Sequence, residues 1–161
     1  MDLYDLKPMK TNSEIKQELL TSCEAFIDKR LANVQHNIAE VQHALTSETK
    51  STAGDKHETG RAMLQLEREK FGAQLAEINL VKKALSKINV TKRSETVCLG
   101  SAVLTNKSNY FIAISAGEIE IDTTKYFAIA PNTPIGQLLI SKKVGDSIRF
   151  RDQEFTITDL F

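Results

Sequence analysis

The sequence lacks several features that would give an early indication of function. Its 161 residues include no tryptophan, only three prolines and only two cysteines. They also show no excess of charge, because 21 lysines and arginines are balanced by 21 aspartates and glutamates. This balance excludes a general polyanion binder, so any contact with nucleic acid must be local or shared with another protein.

The sequence has few cysteines and no long apolar run. The two cysteines, Cys23 and Cys98, form neither a disulfide framework nor a CxxC metal pair, and we expect both to be buried, reduced thiols. No apolar run approaches the roughly 20 residues that cross a bilayer. The first ten residues also lack the basic start and apolar core of a signal peptide. We therefore expect a soluble, cytoplasmic protein without a membrane partner.

Common catalytic and nucleotide-binding motifs are absent as well. The sequence contains no P-loop, no G-x-G-x-x-G and no H-E-x-x-H, and neither cysteine has a histidine close in sequence. His36 and His43 lie seven residues apart on one helical pattern, where a solvated face is a better interpretation than a metal site. The chain alone is therefore not expected to be an enzyme.

Two long helical patterns fill the first half of the chain. Thr11 and Glu14 have capping-box spacing, which predicts that the first helix begins near residue 12. Its apolar residues then recur at alternating intervals of four and three, the heptad signature of a coiled coil. The second pattern runs from about Glu58 to Ile88. The seam positions are Ile27, Leu31, Val34, Ile38, Val41 and Leu45, and then Leu64, Phe71, Leu75, Ile78, Val81 and Leu85.

These seam positions also pair with one another. Facing residues of an antiparallel helical hairpin have a nearly constant sum of residue numbers, and four pairs here share the sum 109. The pairs are Leu45 with Leu64, Ile38 with Phe71, Val34 with Leu75, and Leu31 with Ile78. The fold-back is therefore predicted between Gly54 and Asp55, at the tip of a coiled-coil rod.

After a polar connector the period changes from helical to alternating, which is typical of strands. Pro134 stands where a short helix would begin, since proline is tolerated in a first turn. The alternating residues are Val97, Leu99 and Val103; Tyr110, Ile112 and Ile114; Ile119 and Ile121; Phe127 and Ile129; Ile148 and Phe150; and Phe155 and Ile157. The sequence thus predicts an α+β protein. Its parts are a tail (1–11), a hairpin (12–88) with its tip near 52–60, a linker (89–95) and a mainly antiparallel domain (96–161).

Two carboxylates, Asp55 and Glu58, fall at the predicted tip. Their spacing fits a capping box at the start of the second helix. Alternatively, both acids project from the tip and complete a metal site on a partner. Two carboxylates are too few to hold Mg²⁺ alone, because that ion requires octahedral oxygen ligation. The metal interpretation therefore needs a partner that supplies the other ligands.

Two segments resemble a known family. Gly54-Asp-Lys-His-Glu58 is similar to the G-D-L-S-E-N tip motif of the Gre transcript cleavage factors, which bind bacterial RNA polymerase. Asn132-Thr-Pro-Ile-Gly-Gln-Leu-Leu-Ile-Ser-Lys-Lys-Val-Gly-Asp146 is similar to the family's N-S-P-[IL]-x-x-A-L-[IL]-G-K-x-x-G-D segment. The resemblance covers nearly the whole chain from about residue 10.

The resemblance implies both a fold and a function. It implies a coiled-coil hairpin and an FKBP-like carboxy-terminal domain that docks through Asn132, Thr133, Pro134 and Ile135 at the rim of the polymerase's secondary channel. The hairpin enters that channel, where Asp55 and Glu58 help to hold Mg²⁺ beside the nascent RNA 3′ end, and Lys56, His57 and Arg61 make tip contacts. The polymerase then cleaves backtracked RNA by two-metal hydrolysis. The factor itself is expected to be a monomer.

Three other functions stay open. Thr59 and Gly60 depart from the family's tip, so a channel regulator that binds polymerase without stimulating cleavage is one alternative. A prolyl isomerase is another, although active FKBP domains use a tryptophan-floored pocket and this chain has no tryptophan. The third is a plain coiled-coil scaffold.

Overall fold

The computed structural model describes residues 9–49 and 55–161, without the side chains of 48–49 and 55–58. Two long helices precede a six-stranded sheet that carries one short helix, which confirms the predicted α+β class. The elements are α1 (Asn12–Thr49), α2 (Asp55–Ser86), β1 (Ala102–Thr105), β2 (Asn109–Ile112), β3 (Gly117–Ile121), β4 (Thr124–Ile129), α3 (Pro134–Leu139), β5 (Ser147–Phe150) and β6 (Gln153–Leu160). None of the described helices is both long and apolar enough to cross a membrane.

The chain divides into two compact units. Residues Met1–Glu24 and Leu85–Phe161 form one, which we call the sheet unit, and residues Ala25–Ala84 form the other, which we call the helical unit. Both boundaries fall inside a long helix, whereas the sequence places the boundary in the 89–95 linker. The first turns of α1 therefore belong with the sheet.

The start of α1 follows the capping prediction. The Thr11 hydroxyl accepts a hydrogen bond from the Glu14 N–H at 3.2 Å and contacts the Glu14 carboxylate at 3.1 Å. A threonine in this position satisfies one of the backbone donors that a helix leaves unpaired in its first turn. The predicted start near residue 12 is confirmed.

The helical unit is held by an apolar seam. The seam residues that the heptad pattern selects are all buried or half-buried. Near one end, the Lys82 ammonium lies 2.8 Å from the Asp28 carboxylate, while Arg61 approaches the Leu45 carbonyl further along. Early residues of α1 thus meet late residues of α2, which makes the pair antiparallel.

A cavity between the two helices supports the same alignment. It is lined by Asn37, Glu40, Val41, Ala44, Leu64, Glu67 and Phe71. Phe71 therefore faces the segment of α1 in which its predicted partner Ile38 lies. The individual pairing of Ile38 with Phe71 stays a prediction.

The sheet has the order β3-β4-β2-β1-β6-β5. The pair β2–β4 is parallel and the other neighbouring strands are antiparallel, so the sheet is mixed. One face packs with α3 around a buried cluster, in which α3 contributes Leu139. The cluster consists of Val97, Val103, Ile112, Leu139, Ile148, Phe155, Ile157 and Leu160.

The first turns of α1 lie at the opposite face of the sheet. Phe111 and Tyr126 are buried there, on strand positions that alternate with the α3-facing residues. Ile15 of α1 lines a common cavity with Tyr126, and the Cys23 thiol hydrogen-bonds the backbone of Ile114. The sheet is therefore covered on both faces.

Two predictions need correction. Val97 and Leu99 lie in the loop before β1, because Gly100 turns the chain with a φ of 89°. Cys98, in that same loop, is exposed rather than buried. Phe127 and Ile129 lie in β4, as their alternation predicts, although Phe127 is 39% exposed, with its ring centroid 6.3 Å from that of Tyr110.

We expect Ile78→Ala to destabilise the helical unit more than Phe71→Ala. Ile78 is fully buried, whereas Phe71 is only half-buried. Removing a fully buried isoleucine costs about 2–5 kcal/mol, and a partly exposed ring leaves a smaller uncompensated cavity. Urea unfolding followed by helical circular dichroism measures both. A larger loss for Phe71→Ala would mean that the burial pattern of the seam is wrong.

Alkaline pH should weaken the fold through Cys23. Burial raises the pKa of this thiol from 9.0 to about 12, with a hydrogen bond from Ile114 opposing the shift. Above pH 9 the unfolded thiol loses a proton that the folded thiol keeps. The free energy of unfolding therefore falls as the pH rises, by about 1.4 kcal/mol per pH unit for one proton.

The matched variants are Cys23→Ala and Cys98→Ala. The first removes the buried thiol and should flatten the decline in the free energy of unfolding between pH 9 and pH 11. The second removes an exposed thiol and should keep the decline of the parent protein. Urea unfolding at stepped pH under reducing conditions compares them; equal slopes in the two variants would contradict the prediction.

Candidate functional site

The first turn of α2 contains both predicted tip acids. The helix begins at Asp55, three residues before the predicted start at Glu58. Positions three apart are neighbours on one helix surface, so the backbone places Asp55 and Glu58 on the same side of the first turn. The predicted tip is near 52–60; its residues 52–54 lie outside the described residues, as do the side chains of Asp55, Lys56, His57 and Glu58.

Arg61 is the predicted tip residue whose side chain is described. It is half-buried, and its Nη1 lies 3.5 Å from the Leu45 carbonyl, at the limit of a hydrogen bond. This carbonyl is near the end of α1, where the helix dipole favours a cation. Arg61 therefore joins the two helices close to the tip.

Metal-ligand groups were sought throughout the described residues. No cluster of three or more histidine, cysteine, aspartate or glutamate side chains that could hold a metal occurs in 9–47 or 59–161. His36 pairs instead with Glu40 at 3.2 Å, one turn later, and both side chains are largely exposed. The exposure of both side chains agrees with the prediction that this helix face is solvated.

The predicted docking segment is built around a capped short helix. Thr133 precedes α3, and its hydroxyl donates a hydrogen bond to the Ala130 carbonyl at 2.7 Å. The same oxygen accepts one from the Gly136 N–H at 3.2 Å. Pro134 follows in the first turn, which confirms the helix predicted there. The Thr133 hydroxyl thus stabilises the turn through one donated and one accepted hydrogen bond.

Gly136 is required by this turn for steric reasons. A Cβ at this position would lie 2.3 Å from the Ala130 carbonyl oxygen and 2.9 Å from that of Pro131. Backbone atoms cannot give way as a flexible side chain can. The glycine of the family-like segment therefore allows α3 to lie close against the loop before it.

The four predicted docking residues divide into two pairs. Asn132 and Pro134 are exposed, whereas Thr133 and Ile135 are half-buried, and Ile135 packs against the core cluster. Leu138, 38% exposed, lies four positions after Pro134 on the same side of α3. The exposed side chains of this segment are therefore those of Asn132, Pro134, Gln137 and Leu138.

Sequence reasoning missed one polar residue, Lys16. It is buried in the sheet unit with only 3% exposure, and its ammonium donates a hydrogen bond to the Lys92 carbonyl at 2.9 Å. A signal was present, because Lys16 lies three and four residues before the buried Leu19 and Leu20, on the apolar side of α1. A lysine on such a face requires a polar partner.

Comparisons with known proteins give little further information. No family model and no curated protein matches the chain. Among solved structures, it is similar to one described as "Structure of the transcription factor Gfh1", with 19% sequence identity. The likeness covers 83% of this chain and 90% of that one, with a TM-score of 0.32. A TM-score this low supports no inference about function.

Proposed function

We propose that this protein is a cytoplasmic, Gre-like transcription elongation factor. It binds bacterial RNA polymerase, inserts the tip of the hairpin into the secondary channel, and stimulates the polymerase's own cleavage of backtracked RNA. The observation that carries the proposal is the position of Asp55 and Glu58 in the first turn of α2. There they lie at the end of an antiparallel helical pair.

The antiparallel pair is suited to delivering charge at a distance. A helix rises about 1.5 Å per residue, so the 32 residues of α2 span roughly 48 Å. The apolar seam, which stabilises the pair, includes neither Asp55 nor Glu58. Carboxylates on such an end reach a site inside a narrow channel that a globular domain cannot enter.

Asp55 and Glu58 supply oxygen ligands but too few of them. Mg²⁺ requires octahedral oxygen ligation, so these two residues would share the ion with ligands from the polymerase and the RNA phosphate. Together with the polymerase's own ion, this Mg²⁺ would supply two-metal chemistry, in which one ion activates water and the other stabilises the leaving oxygen. The factor alone is then not an enzyme, and its carboxylates act only within the complex.

Docking is assigned to the sheet unit, which on this proposal is an FKBP-like domain. Asn132 and Pro134 are exposed beside Leu138, and such a surface presents both polar and apolar groups to the channel rim. Thr133 and Ile135 contribute by fixing the turn and the core beneath it. The sheet unit thus positions the factor, and the tip provides the chemistry.

A channel regulator without cleavage activity is the second candidate. Gly60 lies within the second turn of α2, where glycine costs about 1 kcal/mol of helix stability relative to alanine. Such a residue weakens the helix next to the two acids. The two candidates share the docking surface and differ in what the carboxylates do.

Replacing Pro134 with glutamate should weaken polymerase binding by about tenfold or more. The change places a charge on the exposed docking surface while the Thr133 cap stays in place. The matched control is Gln153→Glu, which adds the same charge at the exposed first residue of β6, elsewhere in the sheet unit. Competition binding to polymerase measures both variants, and circular dichroism checks their fold. Equal affinities would remove this segment from the interface.

Asp55→Asn should abolish stimulated cleavage and retain polymerase binding. Asparagine caps a helix as well as aspartate, so a purely capping residue would tolerate the change. A metal ligand would not, because the substitution removes its negative charge; we expect a loss of about tenfold or more. Glu58→Gln should behave in the same way.

The control for both variants is Glu69→Gln, which removes one exposed carboxylate from α2 farther from the tip. The measurement is RNA release from a backtracked transcription complex in the presence of Mg²⁺, together with binding to that complex. If both tip variants stimulate cleavage as the parent does, the carboxylates are caps. If the parent binds without stimulating cleavage, the channel regulator is the correct function.

A further inference from the structure

A small cavity in the sheet unit has an unusual set of lining residues. Its volume is about 160 Å³, and it lies where the start of α1 meets the end of α2 and the loop before β1. It is lined by Lys16, Lys87, Asn89, Lys92, Ser94, Cys98, Leu99, Gly100 and Ser101. Three lysines line it and no carboxylate does. The cavity is therefore a region of uncompensated positive charge.

Lys16 is the buried member of this group. Its side chain makes one hydrogen bond, to the Lys92 carbonyl at 2.9 Å. An ammonium has three donors, so two of its N–H groups have no acceptor among residues 9–49 and 55–161. A buried charge without a partner is costly, which makes an unrecorded acceptor in the cavity energetically favourable.

The charges around Lys16 also favour an acceptor in the cavity. Burial lowers the pKa of Lys16, the neighbouring Cys98 opposes that shift, and the charge of Arg93 adds to it. Lys87 and Lys92 bring two further exposed cations to the edge of the cavity. An anion inside would relieve the repulsion among these groups and supply the missing acceptor.

The neutral groups that line the cavity are mainly donors as well. The Asn89 side-chain oxygen Oδ1 already accepts two hydrogen bonds from Thr91, so its acceptor is occupied while its amide N–H groups are donors. Ser101 is 3% exposed, and its oxygen accepts from the Cys98 N–H at 3.0 Å. Its hydroxyl proton is available, with the Cys98 sulfur at 3.5 Å as the alternative partner. A ligand rich in acceptors fits this set.

We propose that this cavity binds a phosphate-sized oxyanion, with the Lys16 ammonium as its buried anchor and Lys87 and Lys92 at its edge. The volume decides the class of ligand. Pockets for drug-sized molecules measure about 300–1,000 Å³, so a nucleoside does not fit inside. One water molecule occupies about 30 Å³ of liquid, so a tetrahedral anion with some water does fit. The site belongs to the sheet unit, does not include the tip acids and is independent of the proposed function.

The test is a titration of the full-length chain with inorganic phosphate, followed by amide chemical shifts. Sodium chloride at matched ionic strength serves as the reference. We expect saturable shifts for Gly100 and Ser101 with phosphate and not with chloride. Linear shifts that are equal for the two salts would mean that the cavity holds only water and would overturn the proposal.

Matched variants show whether the lysines act as a site. Lys87→Gln removes an exposed charge at the cavity and should weaken phosphate binding several-fold. Lys107→Gln removes an exposed charge elsewhere in the sheet unit and should leave the affinity unchanged. Equal weakening by both would indicate a general charge effect and contradict the proposal. Lys16→Met should abolish binding, with the dispersion of the amide spectrum as its folding control.

A second titration distinguishes free phosphate from a phosphate monoester. Adenosine 5′-monophosphate can place only its phosphate in the cavity. If it shifts Gly100 and Ser101 with the affinity of inorganic phosphate, the ligand is the phosphoryl group of a larger molecule. If only inorganic phosphate produces the shifts, the ligand is the free ion. Either result supports the oxyanion site.

Discussion

The apolar seam between α1 and α2 is the interaction on which the position of the candidate tip depends. Ile27, Val34 and Ile78 are almost fully buried in it, and burial of one such side chain contributes about 1.5–3 kcal/mol. A long helix with one apolar side is not stable alone in water. Pairing removes that side from water and holds the first turn of α2, with Asp55 and Glu58, at the end of the pair.

The stability of the sheet unit depends on a different requirement. Both faces of its sheet carry apolar side chains, so both must be covered. The core cluster with α3 covers one, and the first turns of α1 lie at the other. The second contact brings a lysine into the interior, where the Lys92 carbonyl receives one of its donors. The first turns of α1 thus contribute apolar side chains that cover the sheet, and also the Lys16 ammonium, which is only partly hydrogen-bonded. In the turn before α3, by contrast, the Thr133 hydroxyl is hydrogen-bonded to the backbone and Gly136 is closely packed against it.

The hydrogen bonds of the turn before α3 determine which of its polar groups remain exposed. Just before α3, the Thr133 hydroxyl donates to one backbone carbonyl and accepts from one backbone N–H, so its donor is used within the turn. The exposed side chains of this segment are those of Asn132, Pro134, Gln137 and Leu138.

The sequence by itself determined the features that local patterns encode. Heptad spacing identified the two helices and their seam, Thr11 indicated the first cap, and Pro134 indicated the start of α3, since each acts through residues within one or two turns. Only the tertiary structure decided that Lys16 is buried, because its acceptor lies 76 residues later. It also decided that Ile112 of β2 packs with α3, whereas its neighbour Phe111 lies on the opposite face of the sheet. Alternation gives two possible faces for a strand, and only the long-range packing of neighbouring elements selects between them.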